Sequence, residues 1–173
     1  LKYTSAYLTW LKNDVGTNNT HIVIARDSWI SGELVRNLLV GTASSMGVNV
    51  TDIALATTPT VEMSVTDLKA DGGIIITASH NPKNWNALKL LNNRGEFISA
   101  EDGEVILWIA EEESFSFAEV EQLGRYCHDD SQIKKHIEQI LALPLVDVNA
   151  IRKKEFKVVI DCVNSSGGIS VPE

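Results

Sequence analysis

The sequence predicts an α/β fold: a mixed, mainly parallel sheet sandwiched by helices, with the first strand of a second α/β domain attached. Two observations carry the prediction. Short strand-like segments at 21–25, 48–56 and 74–76 alternate with longer stretches of helical period. The run Gly72-Gly73-Ile74-Ile75-Ile76 also has no polar face, the pattern of a strand covered on both sides.

Apolar residues at 3, 7, 8, 10 and 11 mark a first helix that ends at Asn13-Asp14-Val15-Gly16. His21 to Ala25 reads as a strand. Ser31 is placed to cap a helix from Gly32 to about Met46, with Leu34, Val35, Leu38 and Leu39 on one face and Gly47 closing it. Val48 to Ala56 is the second strand, and Thr58-Pro59 opens a helix with proline at its favoured first position. The third strand runs into Ser79. Strand and helix alternation up to that point implies right-handed crossovers and parallel strands.

Beyond it, Ala87 to Leu91 and Glu96 to Ile98 flank Asn92-Asn93-Arg94-Gly95 as a hairpin. Ser99 caps a helix from Ala100 to Glu113. Residues 114–130 have no clear period. Ser131 to Leu143 reads as a helix, Asp147 to Lys154 as a short helical or linking segment, and Phe156 to Val163 as a strand. The expected division is a domain over 1–150 and the start of another over 151–173.

At 173 residues, 44% hydrophobic and with mean hydropathy −0.01, the composition is that of an ordinary globular chain. A formal net charge of −8 excludes a general binder of nucleic acid or anionic membranes, which require a basic surface. No apolar stretch approaches the ~18 residues of a membrane helix. The start carries neither Met nor a signal-peptide core, and reads as a chain entered partway along a helix. Cys127 and Cys162 are far apart with no metal or redox spacing, so a reduced, cytoplasmic protein is expected.

The chemistry centres on Thr77-Ala78-Ser79-His80-Asn81-Pro82. A buried strand followed by small polar residues and Asn-Pro delivers a serine hydroxyl to a stiff turn at the strand's carboxyl end. In open α/β sheets that end is where ligands bind. A Ser79–His80 hydrolase dyad is unsuitable, because adjacent side chains in an extended segment diverge. Arg26 and Asp27 end the first strand and reach the same end, where an ion pair bracing the loops is expected. His128-Asp129-Asp130 is not a metal set, since consecutive residues rarely converge on one ion, and a helix start explains them. Glu111 to Glu113 reads as a solvated face, and the four tryptophans are too scattered for a stacking platform.

Together with Asn86-Ala87-Leu88-Lys89, the Thr77–Pro82 segment resembles the active-site serine loop of the α-D-phosphohexomutases, the superfamily of phosphoglucomutase, phosphomannomutase and phosphoglucosamine mutase. Ile24-Ala25-Arg26-Asp27 with Ser31-Gly32 is similar to that family's first strand and turn. The segment from Val158 to Gly168 is similar to the opening strand and loop of its second domain. Trp29 stands where the family often has arginine, and Ala87 where many relatives carry glycine.

The resemblance implies a phosphohexose mutase. Ser79 would be the phosphoserine that donates to glucosamine, glucose or mannose phosphate through a sugar 1,6-bisphosphate. Lys89 would be an acid/base or phosphoryl contact, His80 a loop brace or weak proton-transfer group, and Asn81 a phosphoryl-binding or turn residue. Arg26 and Asp27 would support the loop. The implied metal is Mg²⁺, held on this chain only through the Ser79 phosphate. An Asp-Gly-Asp-x-Asp-Arg metal loop does not occur in the sequence. The missing domains II–IV are therefore implied partners, and the chain alone is expected not to turn over substrate. A non-catalytic sugar-phosphate binder and a phosphoserine-dependent phosphatase are the alternatives.

Overall fold

Side chains alternate across a strand, and the three isoleucines at 74–76 use both sides. In the computed structural model, which describes residues 1–16, 19–78, 81, 82 and 84–173, Ile74 and Ile76 face one core and Ile75 the other. All three are essentially inaccessible to water. Each side chain so buried contributes about 2–3 kcal/mol relative to exposure. This strand, β3 (Gly72–Thr77), pairs in parallel with β1 (His21–Arg26), which pairs in parallel with β2 (Asn49–Leu55). An antiparallel β4 (Ala87–Leu91) closes one edge and a short parallel β5 (Tyr126–His128) the other, giving the order β4-β3-β1-β2-β5. The mixed, mainly parallel sheet expected from sequence is therefore present.

Helices cover both faces. On one, α1 (Lys2–Val15), α2 (Gly32–Ser45) and α4 (Ala100–Glu112) bury Leu8, Leu11, Leu39, Ala43 and Ile106 against Ile22, Ile24, Ile74 and Ile76. On the other, α3 (Thr58–Asp67) buries Val61 and Val65 against Val23, Ile53 and Ile75. Outside α3 lies α5 (Gln132–Leu141), followed by the short α6 (Val148–Lys153) and α7 (Gly167–Ser170). The glycine pair that opens β3 has a steric cause. The Tyr7 hydroxyl crosses under the sheet to donate to the Leu91 carbonyl at 2.7 Å. A Cβ on Gly72 would collide with that hydroxyl and lie 2.8 Å from the same carbonyl oxygen.

Several expected details differ. Ser31 precedes α2, but its side chain bonds no helix N–H; Oγ instead accepts from Asn86 Nδ2 at 3.1 Å, tying β4's approach to the β1–α2 turn. Ser99 does cap α4, in a reciprocal box with Asp102. The hairpin reading holds: beyond β4 the chain turns and Phe97 bridges back to Leu91. The run Phe156–Val163 joins no ladder among the described residues, and Val159 is 98% exposed. A β-branched run becomes a strand only beside a partner, and none pairs with it among the described residues.

The unplaced stretch 114–130 contains β5, and one buried carboxylate holds it. Asp52, 2% exposed, accepts from Arg36 Nε at 2.6 Å and from the Tyr126 hydroxyl at 3.0 Å. Its other oxygen takes the Ala54 N–H at 2.8 Å, steadying a bulge where Ala54 adopts φ 60°. The bond to Asp52 raises the Arg36 pKa, while burial, followed by that same carboxylate, raises the Tyr126 phenol. Removing Asp52 takes the shared acceptor from the half-buried Arg36 guanidinium, the Tyr126 hydroxyl and the Ala54 N–H at once. Asp52→Ala is expected to lower unfolding stability by about 2–3 kcal/mol in urea denaturation.

At the start of α5, Asp129 accepts from Ser131 Oγ at 2.6 Å, Ser131 N at 2.9 Å and Gln132 Nε2 at 2.6 Å. Asp129 is thus spent at a helix start and not on a metal, while the Ser131 side chain caps no helix N–H. These bonds, the Ser131 hydroxyl first, pull its carboxyl down from 3.8 to about 2. A depressed carboxyl stabilises the fold above its unfolded pKa and loses that contribution as pH falls through the folded one. The stability gap between wild type and Asp129→Asn should therefore be full at neutral pH and shrink between 3.8 and about 2. Urea midpoints measured across that window check it.

Candidate active site

The sheet's strand order reverses at β1 and β3. The chain leaves β1 toward β2 on one side and leaves β3 toward β4 on the other, so their carboxyl ends open a crevice between diverging loops. A cavity of about 660 Å³ lies at this end, lined from β1's exit by Asp27 and Trp29, from β2's exit by Thr57, and from β3 by Ile75 and Thr77. The loop from Val163 to Ser166 walls its far side.

Asp27 joins the two loops that meet there. Its Oδ1 accepts from Trp29 N at 3.1 Å, its Oδ2 from Ala78 N at 3.3 Å, and its own N–H donates to the Ile76 carbonyl at 3.0 Å. The residue before Ser79 is thus anchored to the β1–α2 turn. On the other side, Asn81 N and Nδ2 both donate to the Ala78 carbonyl at 3.0 Å. Asn81 is engaged as a turn residue. Ser79 and His80, the expected phosphoserine and its neighbour, lie outside the described residues.

Arg26 and Asp27 do not form the expected ion pair. Arg26 Nη1 donates to the Asp27 carbonyl at 3.1 Å, and the Asp27 carboxylate is taken up by backbone N–H groups. Backbone donors held by the fold at close range displace the guanidinium. Lys89 lies in β4 directly opposite Ile75, hence on the sheet face that reaches the crevice, one strand further out. Its ammonium sits 5.5 Å above the Phe97 ring and is not among the groups lining the cavity.

Sequence reasoning named Thr77 in the serine motif but missed Thr57 and the 163–166 wall. Thr57 follows β2, so the carboxyl-end rule that singled out Asp27 could have found it. Asp27 is the sole carboxylate among the described lining residues, and both its oxygens are occupied. No group of three or more His, Cys, Asp or Glu converges elsewhere among the described residues. A metal at this crevice would need ligands beyond those described.

Fold and crevice together define a doubly wound α/β domain whose ligand loops gather at one end of the sheet. Residues 1–117 match the family described as "Phosphoglucomutase/phosphomannomutase, alpha/beta/alpha domain I", and the chain belongs to that family. It is 35% identical over 172 residues to a phosphoglucomutase/phosphomannomutase of Thermococcus kodakarensis, covering 99% of this chain and 37% of that protein. It is 34% identical over 166 residues to a phosphoglucosamine/phosphogalactosamine mutase of Sulfurisphaera tokodaii, covering 94% and 36% respectively. The chain thus spans little more than a third of these relatives, which are mutases. Among solved structures, the exocytosis-sensitive phosphoprotein parafusin, a phosphoglucomutase from Paramecium, superposes with TM-score 0.73 at 14% identity, over 98% of this chain and 36% of that one. At that identity the likeness speaks for the fold alone. No helix is long and apolar enough to cross a membrane among the described residues.

Replacing Asp27 removes the acceptor for two loop N–H groups at once. Asp27→Ala is expected to cost about 1–3 kcal/mol of stability, and hydrogen exchange should show the Trp29 and Ala78 amides losing protection first.

Proposed function

We propose that this chain is the phosphoryl-donor domain of a phosphohexose mutase, occupying residues 1–150, with 151–173 beginning a second domain. The observation that carries the reading is the anchoring of Ala78 by Asp27 and Asn81 at the mouth of a carboxyl-end crevice, in a chain of this family. That arrangement supports a hydroxyl at residue 79 held in one place, which a group-transfer nucleophile requires.

In this reading Ser79 carries a phosphoryl group and passes it to the free hydroxyl of a hexose 1- or 6-phosphate. The P–O bond to Ser79 breaks as the bond to the sugar oxygen forms, and the sugar leaves its proton to a nearby base. The bisphosphate turns over and returns its other phosphate to Ser79. Lys89, on the crevice face of β4, extends its ammonium toward the transferring group after leaving Phe97, and there neutralises developing charge. His80 braces the loop, Asn81 shapes its exit, and Arg26 and Asp27 hold it from the β1 side. Mg²⁺, suited to hard oxygen ligands, would supply further charge neutralisation at the Ser79 phosphate, with its other ligands outside this chain. The remaining domains complete the sugar site, and the compartment proposed is the cytoplasm.

³¹P NMR of the full polypeptide with Mg²⁺, a trace of sugar bisphosphate, and glucosamine, glucose or mannose phosphate in turn tests this. Interconversion of 1- and 6-phosphate signals is expected with one of the three sugars, falling by roughly a thousandfold or more in Ser79→Ala. Free phosphate growing without isomerised sugar would make the protein a phosphatase. Unchanged spectra with all three sugars would make it a binding protein.

A further inference from the structure

At the opposite end of the sheet the strands display a second polar cluster. Val23 and Ile53 are buried beneath α3. Toward the strands' amino ends the same face turns polar, with His21 on β1, Asn49 and Thr51 on β2, and Arg125 and Cys127 at β5. In-register pairing fixes this row: His21 stands opposite Asn49, and Thr51 opposite Cys127. The row is half-buried on β1 and β2 and exposed at β5, so its side chains face a groove and not a helix.

The row borders a groove of about 760 Å³, into which α1 contributes Lys12. That volume lies in the range of small-ligand sites. No carboxylate lines it among the described residues, although the chain has 23 acidic residues against 15 basic. Neither Lys12 nor Arg125 forms an ion pair among the described residues. The Lys12 ammonium donates to the Met46 carbonyl, which uses one of its three protons, and burial lowers its pKa. Helix ends at α1 and α2 offer it only partial negative charge. Asp71 lies near His21, but its Oδ2 accepts from the His21 backbone N–H at 2.8 Å.

The remaining polar groups are already held in place. His21 Nε2 is 2.8 Å from Thr51 Oγ1, Asn49 Nδ2 donates to Asn19 Oδ1 at 2.9 Å, and Asn49 Oδ1 takes the Arg125 backbone N–H at 3.0 Å. The Asn49 contact fixes the backbone from which the Arg125 side chain enters the groove. Two cations without counter-ions among the described residues, Lys12 and Arg125, beside a histidine that burial holds toward its neutral form, are suited to a ligand that brings the negative charge.

We propose that this groove binds a small phosphate-bearing anion through Lys12, Arg125 and His21, at the far end of the sheet from the candidate active site. The proposal does not depend on the mutase reading. Arg125 supplies the planar fork that matches phosphate oxygens, Lys12 a point charge from the α1 side, and His21 a ring N–H.

Inorganic pyrophosphate titrated into the full polypeptide is the test, read by calorimetry and by the His21 ring signals in NMR. Saturable binding that moves the His21 signals is expected. Arg125→Gln should weaken it by about tenfold with the melting curve unchanged, and Arg125→Lys, which keeps the charge without the fork, should fall between. Stationary His21 signals at saturation, or equal affinity in wild type and Arg125→Gln, would overturn the assignment and locate any binding elsewhere.

Discussion

The carboxyl-end crevice depends on β1 and β3 being dry on both faces. Two strands buried between helix layers cannot slide, because a one-residue slip would exchange their two apolar sets and expose the hydrogen-bonding ladder. Their ends are therefore fixed points. Asp27 and Ala78 are the first residues past those points, and their contact transmits the rigidity of the core to the loops. The loops add little hydrophobic burial of their own. Their order is borrowed from the strands beneath.

The edges of the sheet are held differently. β4 is pinned by the Tyr7 hydroxyl reaching the Leu91 carbonyl from α1. β5 is only three residues long, and all three are exposed. It is attached through the Asp52 carboxylate, which binds α2 through Arg36 and β5 through Tyr126. A buried charge with paired hydrogen bonds is directional where apolar burial is not, so it sets register at an edge too short to set its own. Asp52's own strand, β2, bulges at Ala54 just before the chain enters the crevice wall.

Sequence carried β1 and β3 because each has an unbroken apolar stretch, and β2 because its Val50, Ile53 and Ala56 stand in a run set off from the helices on either side. The Ser99 cap of α4 was equally legible, being closed within four residues. β5 was not, since Tyr126, Cys127 and His128 have no period, and their partner lies 74 residues away in Asp52. The crevice was legible as a place, at the carboxyl ends, but not in its contacts. Asp27 spends its carboxylate on backbone N–H groups, one of them 51 residues away, and no side-chain pattern announces such a bond. Lys89 was placed on the returning strand, yet its seat over Phe97 depends on how the chain turns after Leu91. The polar row at the amino ends required three strands in register before it became a cluster.

The unladdered run at 156–160 bears on how the chain behaves in company. Phe156, Val158, Val159 and Ile160 are all at least half exposed, and such aromatic and β-branched residues are what template edge-to-edge growth. Charges punctuate it: Lys153, Lys154 and Glu155 stand before the run, Lys157 within it and Asp161 after it. Lys157 is the one charge that prevents five consecutive apolar residues. A charge at that position works against edge-to-edge pairing of an exposed apolar segment.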